Sequence, residues 1–263
     1  MVKMPPPLLL IAVVVIAAAG CGTPARTVTS QPSPPARPYP DSLETKPFRT
    51  YRLAKALPAS VTIGPGQLGV DRTLEVKSTF YQYIGWQTSW TSAFAAKGLL
   101  SAADRDLSFG FSLTPISVGG TDRTDGQQAS TSPLSLSLLL KNGSQAGVQI
   151  DWNAVTLVRS SSRAYPVLHK GVKFNEAGNL TAPSTVPPAA TLSDFVFPRE
   201  AVFFVSGRSG GWRASQFFEG IPAGEVFSLY LPVRRGTDLV EYQFTFESGP
   251  GAVTGPTSRA TGS

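Results

Sequence analysis

The chain has 263 residues, 41% of them hydrophobic and 10% aromatic, enough to bury a full core. Charged residues make up only 15%, while 25 glycines and 23 prolines punctuate the sequence, which favours a loop-rich β protein and argues against a long helical bundle. The net charge is +6, and a single cysteine and a single histidine exclude an intrachain disulfide and a metal centre of the usual His/Cys kind.

Residues 1–20 read as a leader. Lys3 supplies a positive start, and Leu8 to Ala19 form an apolar run too short to span a bilayer, which takes about 20 residues. The run ends in Ala18-Ala19-Gly20-Cys21. This resembles the lipobox of bacterial lipoproteins, with Ala18 in place of the commoner Leu. The resemblance implies that the leader is cut before Cys21 and that the Cys21 thiol carries the lipid. It places the chain in the cell envelope, at an outer membrane facing the periplasm or at the cell surface, depending on the host. From Cys21 through residue 47 the sequence is rich in proline, with Pro24, Pro32, Pro34, Pro35, Pro38, Pro40 and Pro47. No core forms from such a segment, and it reads as a tether that reaches at most roughly 75 Å as polyproline II.

The folded domain is expected over residues 48–248. Leu74, Val76, Ser78 and Phe80 share one face of a strand starting near Thr73. Tyr83, Trp86, Trp90 and Phe94 follow at spacings of 3, 4 and 4, which predicts a short helical insertion near residues 83–102, although Gly85 and Gly98 oppose it. Its aromatic residues are expected to bury against a sheet, or alternatively to form a platform for a glycan. Leu107, Phe109, Phe111 and Leu113 alternate as a strand. Asp122, Asp125 and Gly126 in the polar stretch that follows are too sparse for a calcium loop and read as turn residues.

Pro133 to His169 is expected to hold the centre of the domain. Leu134, Leu136, Leu138 and Leu140 alternate, Asn142-Gly143 predicts a tight hairpin turn, and Val148 and Ile150 restart the alternation. Trp152, Val155, Leu157 and Val158 continue it, and Ala164 to His169 returns as a strand, placed at an edge by Pro166. This pattern resembles the immunoglobulin-like, telokin-like domains of bacterial envelope lipoproteins, a family of unknown function. The resemblance implies an antiparallel β-sandwich and no particular activity.

Residues 171–191 read as an irregular crossing between sheets. Phe195, Phe197 and Val202 to Val205 are strand material, and Arg208 to Arg213 reads as a surface loop with Trp212. Phe227, Leu229, Leu231 and Val233 alternate, as do Tyr242, Phe244 and Phe246, giving a closing hairpin around Arg234 and Arg235. Residues 249–263 read as a disordered polar tail.

The inventory of chemistry is thin. His169 is alone, no nucleophile elbow or phosphate-binding glycine motif is present, and Asp104 and Asp106 are the nearest carboxylate pair. No cofactor and no metal is expected, and nucleic acid does not suit an exported chain. The reading is an all-β, non-catalytic, lipid-anchored envelope protein that binds or assembles with an envelope protein. One alternative is a glycan-binding module using Tyr83, Trp86 and Trp90; another is a hydrolase of envelope polymer. Arg208, Trp212, Arg213, Arg234 and Arg235 complete the candidate surface, with the arginines in two loops able to hold an anionic polymer if they met.

Overall fold

The computed structural model describes residues 35–251, apart from 38, 117–121, 125–126, 132, 161–162, 174–175, 177 and 207–210. Cys21, Asp125, Gly126, Arg208 and the tail beyond Gly251 lie outside the described residues. The chain divides after Ala36, and the unit from Arg37 onward holds every described strand.

The strands are β1 (Ser42–Leu57), β2 (Thr62–Ile63), β3 (Leu68–Tyr81), β4 (Gly85–Lys97), β5 (Leu100–Asp104) and β6 (Leu107–Pro115). They continue with β7 (Asp122–Thr124), β8 (Gln127–Thr131), β9 (Leu134–Asn142), β10 (Val148–Ile150), β11 (Thr156–Arg159) and β12 (Ala164–Leu168). The last six are β13 (Ser184–Val186), β14 (Thr191–Pro198), β15 (Val202–Val205), β16 (Gly211–Ala214), β17 (Val226–Arg235) and β18 (Asp238–Pro250). One 3-10 turn spans Arg199–Ala201, and there is no α-helix among the described residues.

One sheet runs β2-β5-β6-β9-β14-β12-β11-β17-β18-β1-β3-β4-β8-β7, with β10 and β13 branching from β17. It is antiparallel except where β4 meets β8. A sheet this long, twisting at every strand, curls until its two halves face each other. Phe109 of β6 lies 4.8 Å from Tyr242 and 4.9 Å from Phe244 of β18, and Phe111 lies 4.8 Å from Phe244 and 5.2 Å from Phe246. The alternating leucines of β9 and the alternating apolar residues of β17 and β18 are all buried in this sandwich-like core. Period two puts each of those sets on one face, so the pattern that marks the strands also fills the core.

Five expectations change. The helical insertion at residues 83–102 is absent, because the segment forms the turn before β4, β4 itself and the start of β5. Asn142-Gly143 does not close a hairpin: β9 pairs with β6 and β14, whereas β10 pairs with β13 and β17. Asn142 is fully buried and its amide donates to the carbonyls of Ala146 at 2.8 Å, Val186 at 3.0 Å and Pro187 at 3.1 Å, which pins the crossing from one half of the sheet to the other. Strand β12 is not an edge; it lies between β11 and β14, and Pro166 falls opposite Thr156, one residue short of the ladder to β14. The irregular crossing contains a short strand, β13, and β1 already begins at Ser42, inside the expected tether.

Candidate functional site

The sandwich-like body extends into an arm. Residues Arg49 to Tyr51 of β1 pair with β18 on one side and β3 on the other, but Ser42 to Pro47 pair with β3 alone. A bulge between Pro47 and Arg49 marks the departure. Strands β3 and β4 stay in register from Gly69–Lys97 to Tyr81–Gly85, so the hairpin runs far past the end of β18. No residue between Val70 and Phe94 belongs to the main core. The tip is the turn Gln82-Tyr83-Ile84. Gly85 closes it with a φ of +78°, which a three-residue hairpin turn requires and glycine supplies without strain.

Tyr83 stands in that turn, 94% exposed, with Ile84 at 64%; Tyr81 and Phe80 beside it are also exposed. Trp86 and Trp90 occupy the same face of β4 and are half-buried. Phe80 packs edge-on against Trp86 at 5.4 Å, and the Arg37 guanidinium also lies 5.4 Å from the Trp86 ring. Tyr39 contacts Trp90 edge-on at 5.8 Å. Ser78 donates its N–H to Asp41 Oδ1 at 2.8 Å and its hydroxyl to the Tyr39 carbonyl at 3.0 Å. The segment before β1 therefore runs along the arm toward its tip. Of the three sequence-predicted platform residues, Trp86 and Trp90 share a face, and Tyr83 stands at the turn beyond them.

A second exposed apolar element is the two-stranded sheet of β15 and β16, which pairs Val202–Ala214 through Val205–Gly211 and joins no other strand among the described residues. Phe203, Phe204 and Val205 are exposed, Phe204 at 59%. Trp212 rests edge-on against Phe204 at 5.5 Å and, with Arg213, is half-buried in β16, a strand where the sequence suggests a loop.

Among the described arginines, Arg213 does not meet Arg234 and Arg235. Arg213 precedes the segment Phe217–Ile221, which plugs the end of the sandwich near Arg49 and Tyr51: Tyr51 Oη donates to the Phe218 carbonyl at 2.6 Å, and Arg49 Nε to the Ile221 carbonyl at 3.3 Å. Arg234 and Arg235 close the β17–β18 hairpin at the other end of β18. Arg234 is exposed, but Arg235 is committed to the fold, its Nη2 donating to Tyr242 Oη at 2.8 Å and to the Asp104 carbonyl at 3.3 Å. Tyr242 Oη in turn donates to Asp104 Oδ2 at 2.7 Å. Burial alone would raise the Asp104 carboxyl, but the hydrogen bonds from Tyr242 and Ser60 and the charges of Arg235 and Arg105 bring it below its ordinary value. Burial, then the Asp104 hydrogen bond, push the Tyr242 phenol up. This cluster clamps β5 to β17 and β18. Asp106 is exposed in the adjoining turn, whereas Asp104 is buried.

His169 is buried, stacked on Trp152 at 4.3 Å, with Nδ1 3.4 Å from Asp194 Oδ2. Asp194 also accepts from the N–H groups of Lys170 and Phe195, both at 2.7 Å. Glu219 is 5% exposed, and burial pushes its carboxyl up to about 7; its Oε1 accepts the Leu134 N–H at 2.6 Å. Clefts of about 200–230 Å³ among the described residues include one beside Pro47 and Gly98, one beside Trp152 and Arg199 and one beside Pro183 and Arg234. One holds Asp71, one holds Asp151 and one has no carboxylate, and Glu219 lines none of them. No group of three potential metal ligands occurs among the described residues. No protein-family model, curated protein or solved structure matches the chain.

Proposed function

We propose that the chain is a lipid-anchored cell-envelope protein whose immunoglobulin-like β-sandwich serves a non-catalytic binding or assembly role, with an envelope protein docking on the β15–β16 hairpin. One observation carries the reading. Phe203, Phe204 and Val205 stand exposed on a short sheet that joins no other strand among the described residues. Open backbone edges beside exposed aromatic side chains are what strand addition uses: main-chain bonds give affinity, and alternate side chains give specificity. Another open edge, Ser42 to Pro47 of β1, carries Glu44, Lys46 and Pro47, which discourage pairing. The anchor rests on the Ala18–Cys21 pattern.

A photo-crosslinking amino acid at Phe204, activated in intact cells, is expected to trap one dominant protein, with the adduct lost when Phe203 is also changed to Ser. Absence of any protein adduct overturns the docking site. Metabolic labelling with a fatty-acid analogue, with Cys21→Ser as control, tests the anchor separately. The glycan reading keeps one supporting observation, the shared face of Trp86 and Trp90, although Arg37 and Tyr39 lie over it. Crosslinked cell-wall fragments in place of a protein would favour it.

A further inference from the structure

We propose that the tip of the β3–β4 arm is a membrane-seating element: Phe80, Tyr81, Tyr83 and Ile84, with Trp86 behind them, settle into the headgroup region of a phospholipid bilayer. The first argument is chemical. From Ser78 through Ala96 the sequence has no charged residue. Arg37 and Lys77, which flank the tip, are matched by the carboxylates of Asp41 and Glu75. A neutral, aromatic-rich projection of this kind does not select an anionic polymer. It suits the boundary between water and acyl chains, where Tyr and Trp place an apolar body in lipid and a polar edge in water.

The second argument is positional. The chain enters the folded unit at the tip, since Asp41 bonds Ser78, Tyr39 meets Trp90 and Arg37 meets Trp86. A lipid on Cys21 would be tied to Arg37 by a segment that reaches at most roughly 50 Å as polyproline II. A bilayer holding such an anchor would be within reach of the tip. An acyl anchor on a tether leaves the domain free to tumble, and a second membrane contact fixes its orientation. The shape agrees: the most exposed side chains of the tip, Tyr83 and Ile84, lie on a convex turn, which inserts into an interface and offers no groove to a sugar chain.

The inference rests on the anchor reading only for which bilayer is near, and its test dispenses with the anchor. The chain from residue 22 onward, made without lipid, is mixed with neutral phosphatidylcholine vesicles and floated through a density gradient. Wild type is expected to float with the vesicles equally at low and high salt, and Trp fluorescence to be quenched by lipids brominated near the headgroup, with the quenching lost in Trp86→Phe. Tyr83→Ser combined with Ile84→Ser is expected to weaken partitioning by about tenfold or more, with an unchanged melting curve because both side chains are exposed. Failure of wild type to float, or flotation of the double variant as strong as wild type, overturns the proposal. So does a tip-dependent association with neutral cell-wall oligosaccharides, or with a second copy of the chain, in the absence of vesicle binding.

Discussion

Glu219 lies beneath Leu134, accepting its N–H at 2.6 Å, and burial holds its carboxyl at about 7. Below its unfolded value of 4.5 the acid is neutral in both the folded and the unfolded chain. As pH rises, the unfolded chain ionises first, so stability falls from there up to about 7 and then levels off. The loss amounts to roughly 3 kcal/mol at one pKa unit per about 1.4 kcal/mol. Glu219→Gln keeps an acceptor for Leu134 and removes the titration. Thermal melts are expected to show wild type losing stability relative to the variant between about pH 5 and pH 8, with the variant the more stable at the upper end. A constant difference across that window would refute the assignment. Nothing local in Phe217-Phe218-Glu219-Gly220-Ile221 announces this. The burial comes from Tyr51, on a strand far away in sequence, whose hydroxyl holds the segment down through Phe218. Asn142 teaches the same lesson. Beside Gly143 it suggests a turn residue, yet its amide is spent on three carbonyls, two of them at the end of β13 and just beyond it. Its Oδ1 still serves the local turn, accepting the Ser144 N–H at 3.0 Å, so one side chain does both, and only the long-range pairing of β10 with β13 reveals the buried half.

At the scale of elements, β4 shows why the arm resembles a helix in sequence. Trp86, Trp90 and Phe94 are four residues apart, a spacing that satisfies both a helix and one face of a strand. The odd spacing, Tyr83 to Trp86, spans the turn and does not belong to the periodic run. Gly85 is the signal that separates the two: a glycine directly after Gln82-Tyr83-Ile84 suits the close of a hairpin turn better than a helix interior. The base of the arm is fixed by a second glycine. Gly98 has a φ of +95°, and a Cβ there would fall 2.3 Å from the Gln67 carbonyl oxygen. Gly98→Ala is therefore expected to cost about 2–4 kcal/mol, measured by denaturant unfolding. A loss within a few tenths of a kcal/mol would mean that the β4–β5 connection relaxes freely. The strands of the main body are legible because one of their faces is buried, as in β6, β9, β17 and β18, whose alternating apolar residues reach the core. In the arm, β3 is still legible from the alternation of Leu74, Val76, Ser78 and Phe80, but β4 buries no face in the main core before Phe94, and its aromatic residues come only at every fourth position.

At the scale of the molecule, stability and the proposed membrane contact occupy different parts of the chain. The main core draws on β1, on β3 only as far as Val70, and on β4 only from Phe94 onward. The outer arm is held by its own ladder, by the Ser78 bonds to Asp41 and Tyr39, and by the backbone pairing of Trp90 to Ser92 with β8. Shortening it should leave the main body intact. Replacing residues 79–87 with Asn-Gly joins Ser78 to Thr88, which already face each other in the ladder, through a dipeptide that favours a tight turn. Because no main-core side chain is removed, the melting temperature is expected to fall by no more than a few degrees, roughly the effect of losing 1 kcal/mol in a domain of this size. Vesicle flotation, in contrast, should be lost, since Phe80, Tyr81, Tyr83, Ile84 and Trp86 all go with the tip. Calorimetry and flotation on the same preparation separate the outcomes. A collapse of the melting temperature would show that the arm supports the main body, and retained flotation would move the membrane contact elsewhere on the surface.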